Sequence, residues 1–476
     1  MDTVERSQLF IDGAWVDPLE PEKVDVIEAS QGVPFGSVTL GGVPDIDRGV
    51  TAARAALSGP WSMWSAVERG EAVARFANEL KVRSRATSAL VSRENGMPIA
   101  LSGIVNGIAP VVITKYYASL AAGISREDLR PSPTGGSTLV ERSPVGVVAA
   151  ITPWNYPQPL AIMKLAPALV AGCAVVLKPP PETSLDAFAF AEAAEAAGLP
   201  AGVLNVVPGG REAGAALVEH PGVDKVAFTG SSIAGRSIGA VAGRLLRPAT
   251  LKLGGKSVSL VAEDADLDLF VAKLLEVSLP NNGQTCHAAT RILAPRSRYA
   301  EVVEAVSSTV AALKVGDPLD PSTQVGPMVS RAQRDRVLSY VAKGRDDARL
   351  TTGGRPLDRP GWFVEPTVFA DVDNASAIAQ EEIFGPVLCV IPYSDEDEAI
   401  AIANDSDFGL GGVVWSADQE HGLALARRVS SGTVGVNHYE LHINAPFGGV
   451  RSSGLGRELG PEGLDPYLVT KSIYLR

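Results

Sequence analysis

Cysteine is scarce in this chain, and the few cysteines are widely spaced. Cys173, Cys286 and Cys389 are the only three, and they show neither CxxC nor histidine-rich spacing. This spacing argues against a disulfide framework and a structural zinc site, so the sequence predicts no metal. A cysteine in a reducing compartment is usually a small buried hydrophobe, which is our interpretation of Cys173 and Cys389. Cys286 differs from both because of its neighbours.

Positive charge and long apolar runs are also lacking. The 42 Lys and Arg residues against 54 Asp and Glu give a net charge of -12, which disfavours a surface for nucleic acid or anionic membranes. No uninterrupted apolar run approaches the roughly 20 residues that span a bilayer. The first ten residues do not have the pattern of a secretory signal. We therefore expect a cytoplasmic protein whose partners are small molecules or further copies of itself.

The chain has the composition of a large, well-buried α/β protein. It has 476 residues, 46% of them hydrophobic, and 48 glycines, which favours two domains. Strand-like segments at 145–151, 174–177, 204–207 and 225–228 alternate with helical ones at 160–171 and 185–197. This alternation predicts a parallel sheet with helices on both faces and ligands at the carboxyl ends of its strands. A second α/β series follows Gly254-Gly255.

Several further segments have clear local signals. Residues 9–16 alternate around Asp12-Gly13, which predicts a hairpin at the N-terminus. Residues 45–57 and 68–92 have helical spacing. The proline- and glycine-rich stretch 130–136 interrupts the pattern and predicts a protruding hairpin, and the tail 467–475 is strand-like.

Cys286 lies in a polar loop that indicates a thiol nucleophile. The loop reads Asn281-Asn-Gly-Gln-Thr-Cys-His287 and follows a predicted helix at 267–279. A thiolate is the reactive form of cysteine, and neighbouring positive charge or N–H groups favour it. His287 suggests a thiol and imidazole pair, although side chains of adjacent residues usually point apart.

Three other segments follow buried strands and so belong at the ligand-binding edge of the sheet. Asn155 lies between two prolines, where a rigidly held amide can donate a hydrogen bond to an oxyanion. Lys178 can hydrogen-bond ribose hydroxyls or attract a 2′-phosphate. Gly230 and Ser231 open a helix whose N–H groups can hold a pyrophosphate. Each segment also has a simpler structural interpretation as a loop or helix cap.

The order of these motifs resembles the aldehyde dehydrogenase superfamily over residues 9–475. The motifs that carry the resemblance are Leu9-Phe-Ile-Asp-Gly-Ala-Trp15, Thr152-Pro-Trp-Asn155, Phe228-Thr-Gly-Ser231, Leu253-Gly-Gly-Lys-Ser257, Asn282-Gly-Gln-Thr-Cys286, Glu382-Ile-Phe-Gly-Pro386, Asn437, Pro446-Phe-Gly-Gly449 and Ser453-Gly-Leu-Gly-Arg-Glu458. Each is modest alone, whereas their joint order is specific to this family.

The resemblance implies three structural parts. They are a Rossmann-like cofactor domain with a parallel sheet (1–125 and 145–252), an α/β catalytic domain (253–452) and a small β oligomerisation hairpin with its strand (126–144 and 467–476). The resemblance further implies a homodimer or homotetramer.

It also implies roles for individual residues. Cys286 would attack the aldehyde to give a thiohemiacetal and then a thioester, with Asn155 and the Cys286 N–H as the oxyanion hole. Hydride would pass to NAD, or to NADP as a second option. The residues carried over to the cofactor are Trp154, Lys178, Gly230, Ser231, the Leu253 carbonyl, Glu382 and Phe384. The residues carried over to the substrate channel are Tyr156, Leu160, Met163, Thr285, His287, Tyr439, Leu441, His442 and Phe447.

The sequence departs from the family pattern at Lys252. Family members usually read Glu-Leu-Gly-Gly-Lys here, and that Glu activates water, whereas this chain reads Lys252-Leu-Gly-Gly-Lys256. Lys252 can serve as a neutral base, or it can stay charged and favour the Cys286 thiolate. Alternatively Glu458, whose family counterpart lies near the missing carboxylate, is the base. We favour Glu458, because a carboxylate starts closer to the required pKa.

A second departure is Pro181. NAD-preferring relatives often place a Glu there that repels a 2′-phosphate, so this chain loses one barrier to NADP without gaining a site for it. We still expect NAD. The apolar and aromatic channel predicts an aliphatic, terpenoid or aromatic aldehyde, since a charged semialdehyde would need an Arg or Lys clamp.

The expected function is therefore oxidation of an aldehyde to its carboxylic acid. The missing Glu motivates an alternative, a dehydrogenase that passes the thioester to coenzyme A. A third alternative is a binding or structural homologue whose catalysis has decayed. The joint presence of Cys286, Asn155, Glu382 and Phe384 argues against it.

Overall fold

The computed structural model describes residues 3–476, which form four β-sheets and the helices around them. The strands are β1 (Val4–Arg6), β2 (Leu9–Ile11), β3 (Ala14–Val16), β4 (Glu22–Glu28), β5 (Val33–Leu40), β6 (Glu127–Pro131), β7 (Ser137–Pro144), β8 (Val147–Ile151), β9 (Ala174–Lys178), β10 (Leu204–Val206), β11 (Lys225–Thr229), β12 (Ala249–Lys252), β13 (Val258–Val261), β14 (Arg291–Pro295), β15 (Arg349–Thr352), β16 (Thr367–Ala370), β17 (Val387–Tyr393), β18 (Gly412–Trp415), β19 (Gly435–Val436), β20 (Gly454–Leu455) and β21 (Leu468–Leu475).

The helices include one in each segment predicted to be helical, namely 45–57, 68–92, 160–171, 185–197 and 267–279. They are α1 (Val43–Ala56), α2 (Pro60–Met63), α3 (Ala66–Asn95), α4 (Ile99–Ser102), α5 (Ala109–Leu120), α6 (Pro157–Ala171), α7 (Phe188–Ala196), α8 (Arg211–Glu219), α9 (Ser232–Arg244), α10 (Leu267–Ser278), α11 (Tyr299–Ala311), α12 (Arg331–Asp347), α13 (Ala377–Gln380), α14 (Glu396–Asn404) and α15 (Gln419–Arg428). The long α3 begins at a capping box, in which Ser65 and Glu68 satisfy each other's backbone N–H groups, and it ends at Gly96 with φ 83°.

The first large sheet has the order β20-β12-β11-β8-β9-β10-β2-β3. Its five central strands are parallel, and the predicted N-terminal hairpin β2-β3 pairs antiparallel at one edge. β8, β9 and β11 are buried along their whole length, because helices cover both faces of the sheet. The alternation over residues 145–228 therefore formed the predicted parallel sheet.

The second large sheet has the order β15-β16-β17-β14-β13-β18-β19 and is parallel except for β15. The chain passes from the first sheet to the second between β12 and β13, and it returns to the first with β20, which pairs with β12. The Lys252 to Ser257 segment is thus the crossing between the two sheets, and the Cys286 loop precedes β14 of the second sheet. The domain limits given above remain a prediction.

The protruding hairpin and the tail form one small sheet. β6 and β7 make the predicted hairpin, and β21 pairs with β7 from Leu468 opposite Pro144 to Leu475 opposite Ser137. All five residues of β6 are exposed. The fourth sheet is equally small and has the order β1-β5-β4.

One helical run meets the length and hydropathy of a membrane span. Residues Ile99–Gly123 have a mean hydropathy of 1.4 over their most apolar stretch, and 39% of that stretch is buried. A core helix of a soluble protein meets the same criterion. Here α5, within the run, packs against α3 and α6 and buries Thr114 and Tyr117.

Candidate active site

The loop that carries Cys286 is held by a tight left-handed turn. Asn281 and Asn282 have φ of 49° and 62°, a conformation that asparagine tolerates better than most residues. The Asn282 side chain donates to the carbonyls of Gly96 and Pro327 at 2.9 Å and accepts from the N–H of Gly326 at 2.6 Å. The turn is therefore tied to two other segments, which fixes the position of the cysteine that follows.

Asn155 is connected directly to this loop. Its side-chain Nδ2 donates to the Gln284 carbonyl at 3.0 Å, and its own carbonyl accepts from Asn281 Nδ2 at 2.9 Å. Asn95 Nδ2 supports it from α3 by donating to the carbonyls of Trp154 and Asn155 at 2.7 and 3.2 Å. An amide nitrogen carries two hydrogens, and the second has no acceptor within residues 3–476. That hydrogen is available for the predicted oxyanion contact.

Lys252 lies against the nucleophile. It ends β12, only 2% of it is exposed, and its Nζ forms a hydrogen bond with Cys286 Sγ. The Nζ also lies 4.7 Å from the centre of the Phe447 ring, a favourable cation–π position. His287 Nδ1 is 3.9 Å from the same sulfur, which is too long for a strong hydrogen bond. The closest polar partner of the thiol is thus Lys252, and an ammonium group in this place stabilises the thiolate.

Glu458 lies behind a second buried lysine. Lys164 Nζ, on α6, donates to Glu458 Oε1 at 2.7 Å, to Thr229 Oγ1 at 2.6 Å and to the Leu160 carbonyl at 3.2 Å. Burial lowers the pKa of Lys164, although the Glu458 carboxylate opposes this shift. The other oxygen, Oε2, is buried with no hydrogen-bond partner in the described part of the chain. Glu458 makes no direct contact with Cys286 there.

Lys164 and Lys252 are neighbours through Thr229. Thr229 of β11 is paired with Lys252 of β12, so the two side chains lie on the same face of the sheet. Lys164, on α6, contacts Thr229 on that face. The Lys252 charge also lowers the pKa of Lys164. The predicted base is therefore linked to the nucleophile through this lysine pair.

Most of the predicted catalytic and cofactor residues line one cleft, which has a volume of about 330 Å³. It is lined by nine of the predicted catalytic and cofactor residues: Asn155, Lys252, Cys286, Trp154, Gly230, Ser231, Leu253, Glu382 and Phe384. Lys178 lies outside this lining, at the end of β9. Its Nζ donates to the carbonyls of Pro179 and Gly209 at 3.1 and 2.6 Å, and burial lowers its pKa to about 8.

The far wall of the cleft carries Glu382 and Phe384. Glu382 Oε1 accepts from the N–H of Gly255 at 2.9 Å, and burial raises the pKa of this carboxyl. Phe384 has φ of 62° and meets Trp154 edge to face, with ring centres 5.2 Å apart. A Cβ atom at Gly254 would lie 2.4 Å from Glu382 Oε2, which is too close. Glycine at this position therefore leaves room for the Glu382 carboxylate.

The near wall suits a dinucleotide. Ser231 caps α9 by accepting from the N–H of Ala234 at 3.3 Å. Gly230 and Ser231 line the cleft, so the start of this helix, whose first N–H groups lack intrahelical partners, lies beside it. Together with Glu382 and Phe384 opposite, these residues fit an elongated ligand with a pyrophosphate and an aromatic end. Which group contacts which part of the cofactor remains a prediction.

Aromatic side chains surround Cys286 on the substrate side. Tyr156 and Thr285 share a hydrogen bond of 2.7 Å between their hydroxyls, and His287 stacks on Tyr439 with ring centres 5.1 Å apart. Phe447 meets His287 edge to face at 6.0 Å. Burial, aided by the nearby Lys252 charge, lowers the pKa of His287 to about 3, so its imidazole is neutral near pH 7.

The other predicted channel residues differ in their burial. Leu160 and Met163 are buried on α6 within the core of the first sheet, and Leu441 packs against that core while half-buried. His442, next to Leu441, is exposed. Their contact with substrate remains a prediction.

Several residues of the site were not predicted from the sequence. Gln333 and Arg336 on α12 line the cleft, where Gln333 Nε2 donates to the Phe384 carbonyl at 2.7 Å and Arg336 donates to the Glu382 carbonyl at 2.8 Å. Lys164 lies within the helix predicted over 160–171, and no role was predicted for it. A lysine inside an otherwise apolar helix, in the run Leu160-Ala-Ile-Met-Lys-Leu-Ala166, is the signal that could have identified it.

Comparisons with known proteins agree with this geometry. Geranial dehydrogenase from Castellaniella defragrans is 53% identical over 475 residues, which cover 99% of each chain. An aldehyde dehydrogenase from Mycobacterium tuberculosis, solved with NAD+, superposes with a TM-score of 0.97 at 45% identity and covers 100% of this chain and 99% of its own. A variant of aldehyde dehydrogenase C from Pseudomonas syringae, solved with NAD+ and octanal, gives a TM-score of 0.94 at 38% identity over 98% of this chain and 96% of its own.

The predicted family and fold class are confirmed by these matches. The profile of the aldehyde dehydrogenase family covers residues 15–473, which includes the Cys286 loop, the Glu382 segment and the Glu458 segment. The chain belongs to the aldehyde dehydrogenase family.

Proposed function

We propose that this enzyme oxidises an apolar aldehyde to its carboxylic acid through a Cys286 thioester, with NAD+ as the hydride acceptor. The observation that carries the proposal is the arrangement of Cys286 between Asn155 and Lys252, at the end of a cleft whose walls hold Glu382 and Phe384. Relatives solved with NAD+ support the cofactor.

Formation of the thioester is the step for which the site is best equipped. The Cys286 thiolate, stabilised by Lys252, attacks the aldehyde carbon, and the oxygen becomes an oxyanion. Asn155 Nδ2 and the Cys286 backbone N–H donate to that oxygen, a type of contact worth about 3–4 kcal/mol in other enzymes. NAD+ held in this cleft would supply the acceptor for the hydride that leaves the carbon. Glu382 and the rigid Phe384 turn hold the wall on which the cofactor rests.

Removal of the acyl group needs a base for water, and we assign that role to the Lys164–Glu458 pair. Both side chains are buried and joined at 2.7 Å, and Lys164 is next to Lys252 across Thr229. A proton released by water near Lys252 reaches Lys164 as Lys164 passes one of its own protons to Glu458, so the Glu458 carboxylate is the final acceptor. Lys252 itself remains occupied with the sulfur, which is why we do not place the base there.

A rapid-mixing experiment tests this assignment. Glu458→Gln should keep the first turnover of NADH, because thioester formation does not involve Glu458, and should slow the later turnovers. If steady-state turnover is unchanged, Glu458 does not take part in hydrolysis. A wild-type burst of one equivalent with almost no later turnover would show that water is not the acceptor.

Coenzyme A is the second candidate acceptor. One observation favours it, namely that the side chain in contact with Cys286 is an amine, since no carboxylate of residues 3–476 contacts the sulfur. Attack by a thiol needs less help from a base than attack by water. Adding coenzyme A to the same assay and identifying the acyl product separates the two acceptors.

We propose an aliphatic, terpenoid or aromatic aldehyde as substrate. Tyr156, His287, Tyr439 and Phe447 form an aromatic surface beside Cys286, and the neutral imidazole adds no charge to it. The geranial dehydrogenase relative and the relative solved with octanal act on or bind aldehydes of this kind. We propose NAD+ as the main cofactor and NADP+ as the weaker one, because Pro181 neither repels nor binds a 2′-phosphate.

An aldehyde panel with NAD+ and with NADP+, with the acid identified, tests the substrate and the cofactor together. Geranial, a medium-chain aldehyde and an aromatic aldehyde should give much higher kcat/KM values than a carboxylate-bearing semialdehyde. A clear preference for the semialdehyde would refute the substrate proposal.

We further propose a cytoplasmic homodimer or homotetramer that assembles through the small β6-β7-β21 sheet. Two large side chains of this sheet are exposed, Leu129 by 62% and Tyr474 by 84%. A second copy of the chain would cover this apolar surface. Sedimentation of the wild type and of Tyr474→Glu measures the effect. The variant should shift to a smaller species, and an unchanged distribution would remove this sheet from the interface.

A further inference from the structure

We propose that Cys286 and Lys252 form a modification site, in which peroxide links Sγ and Nζ through a direct sulfur–nitrogen bond, a sulfenamide. The link would store the nucleophile in a reversible oxidised form. The proposal does not depend on the substrate, on the cofactor or on the group that hydrolyses the thioester.

The two reacting atoms are in contact. Lys252 Nζ forms a hydrogen bond with Cys286 Sγ, and this thiol is the only polar side-chain partner of that amine within residues 3–476. Lys252 is 2% exposed and its backbone is fixed by pairing with Thr229 on one side and Gly454 on the other. The amine therefore has little freedom to leave the sulfur.

The Cys286 sulfur is also held in place. The Asn282 side chain fixes the turn before Cys286 through three hydrogen bonds, to the carbonyls of Gly96 and Pro327 and from the N–H of Gly326. Two rigid partners in contact have a high effective concentration, so bond formation between them outcompetes reagents in solution. Peroxide is small and reaches the sulfur, because Cys286 lines the open cleft of about 330 Å³.

The other two cysteines lack these features. Cys173 and Cys389 are fully buried, and their thiols face carbonyls of Tyr467 and Ile378 at 3.5 and 3.2 Å. Burial raises the pKa of both thiols, to about 11 for Cys173, so they remain in the unreactive thiol form. They serve as internal controls within the same molecule.

The chemistry takes place in two balanced steps. The Cys286 thiolate attacks one oxygen of hydrogen peroxide, the O–O bond breaks, and hydroxide leaves, so sulfur is oxidised to a sulfenic acid and peroxide is reduced. That hydroxide takes a proton from the Lys252 ammonium and becomes water, which leaves a neutral amine. The amine then attacks the sulfur of the sulfenic acid, and the S–O bond breaks. The departing hydroxide takes the proton from nitrogen and leaves as water. An external dithiol reverses the link: one thiol attacks the Cys286 sulfur, the S–N bond breaks and the nitrogen takes the thiol proton. The second thiol then displaces Cys286 from the mixed disulfide and restores its thiol.

We expect the sulfur–nitrogen bond to protect Cys286 from irreversible oxidation. Without a nearby nucleophile, a sulfenic acid is oxidised further to sulfinic acid, which is irreversible in ordinary conditions. The usual family residue at this place is a glutamate, which has no nitrogen to capture the sulfur. This chain should therefore recover from peroxide better than relatives with the glutamate.

The test treats the purified full-length protein with an equimolar amount of hydrogen peroxide, without and with NAD+, and then removes the peroxide with catalase. Mass spectrometry after digestion should show the Lys252 and Cys286 peptides joined, with a mass lower by two hydrogen atoms than their sum. Activity should be lost in proportion to the link and return fully with dithiothreitol.

Lys252→Arg is the matched variant, because it keeps a cation near the sulfur but lacks an amine that attacks sulfenic acid. In this variant dimedone should label Cys286, and excess peroxide should give inactivation that dithiothreitol does not reverse. The peptide map of the wild type is decisive even if the variant folds poorly. Unlinked peptides with sulfinic acid at Cys286, or a link that retains the peroxide oxygen, would overturn the proposal.

Discussion

Replacing Lys252 by methionine is the sharpest perturbation of this site. Methionine has a similar length and keeps apolar packing over Phe447, but it removes the ammonium that contacts Cys286 Sγ. The thiolate then loses a neighbouring positive charge while the rest of its loop stays in place. We therefore expect slower reaction of the sulfur with any electrophile.

The size of the effect follows from the short distance and the burial of the pair. Two unit charges about 4 Å apart attract by roughly 4 kcal/mol at an effective dielectric constant of about 20. The cost of removing the lysine from water offsets part of this attraction. A remaining effect of about 1.4–2.7 kcal/mol corresponds to a rate lower by about 10- to 100-fold.

Two measurements check this expectation. The first is the second-order rate of Cys286 alkylation by iodoacetamide at neutral pH, and the second is the rate of the first NADH turnover in rapid mixing. Lys471→Met is the control, because Lys471 is an exposed lysine paired with Glu141 on the small sheet. If Lys252→Met alkylates within twofold of the wild type, the contact does not activate the thiol and our reasoning on thioester formation is wrong.

Four other predictions follow from the same geometry. Glu458→Gln should lower steady-state turnover by about 100-fold, the low end for loss of a general base, while the NADH burst in rapid mixing persists. Asn155→Ala should lower kcat by about 100- to 1000-fold with NAD+ binding retained in a fluorescence titration; an unchanged kcat would remove it from the oxyanion hole. His287→Gln should flatten the acid dependence of the melting temperature, because the wild-type imidazole has a pKa of about 3 when folded and about 6.5 when unfolded. As pH falls from about 6.5 towards 3 only the unfolded state gains this proton, so stability drops by on the order of 1–3 kcal/mol in the wild type and less in the variant. Pro181→Glu should lower kcat/KM with NADP+ by about tenfold relative to NAD+, through repulsion of the 2′-phosphate; an unaltered ratio would mean that residue 181 does not face the ribose.

Much of the fold could be predicted because local patterns encode it. Apolar runs bounded by Gly and Pro gave the parallel strands β8, β9 and β11, and Asp12-Gly13 gave the N-terminal hairpin. Helical spacing gave α1 and α3 within a few residues of their ends. Each of these signals depends on neighbours a few positions away, so the amino-acid sequence shows them directly.

Some features of the active site could likewise be predicted from the sequence, whereas others could not. The sequence alone determined the nucleophile loop, the glycine-rich helix start at Gly230 and the replacement of the usual glutamate by Lys252. It did not show that Lys252 contacts the Cys286 sulfur, because that contact depends on where the first sheet ends relative to the loop before β14.

The tertiary structure alone decided how the charged groups are paired. Lys164 and Glu458 are 294 positions apart and meet only because α6 covers the sheet face to which the chain returns with β20. Gln333 and Arg336 reach the Glu382 segment only through the packing of α12. Strand register and helix packing set these contacts, and neither is encoded in short-range spacing. The sequence thus determined which chemistry is present, and the tertiary structure decided which charge stabilises the nucleophile.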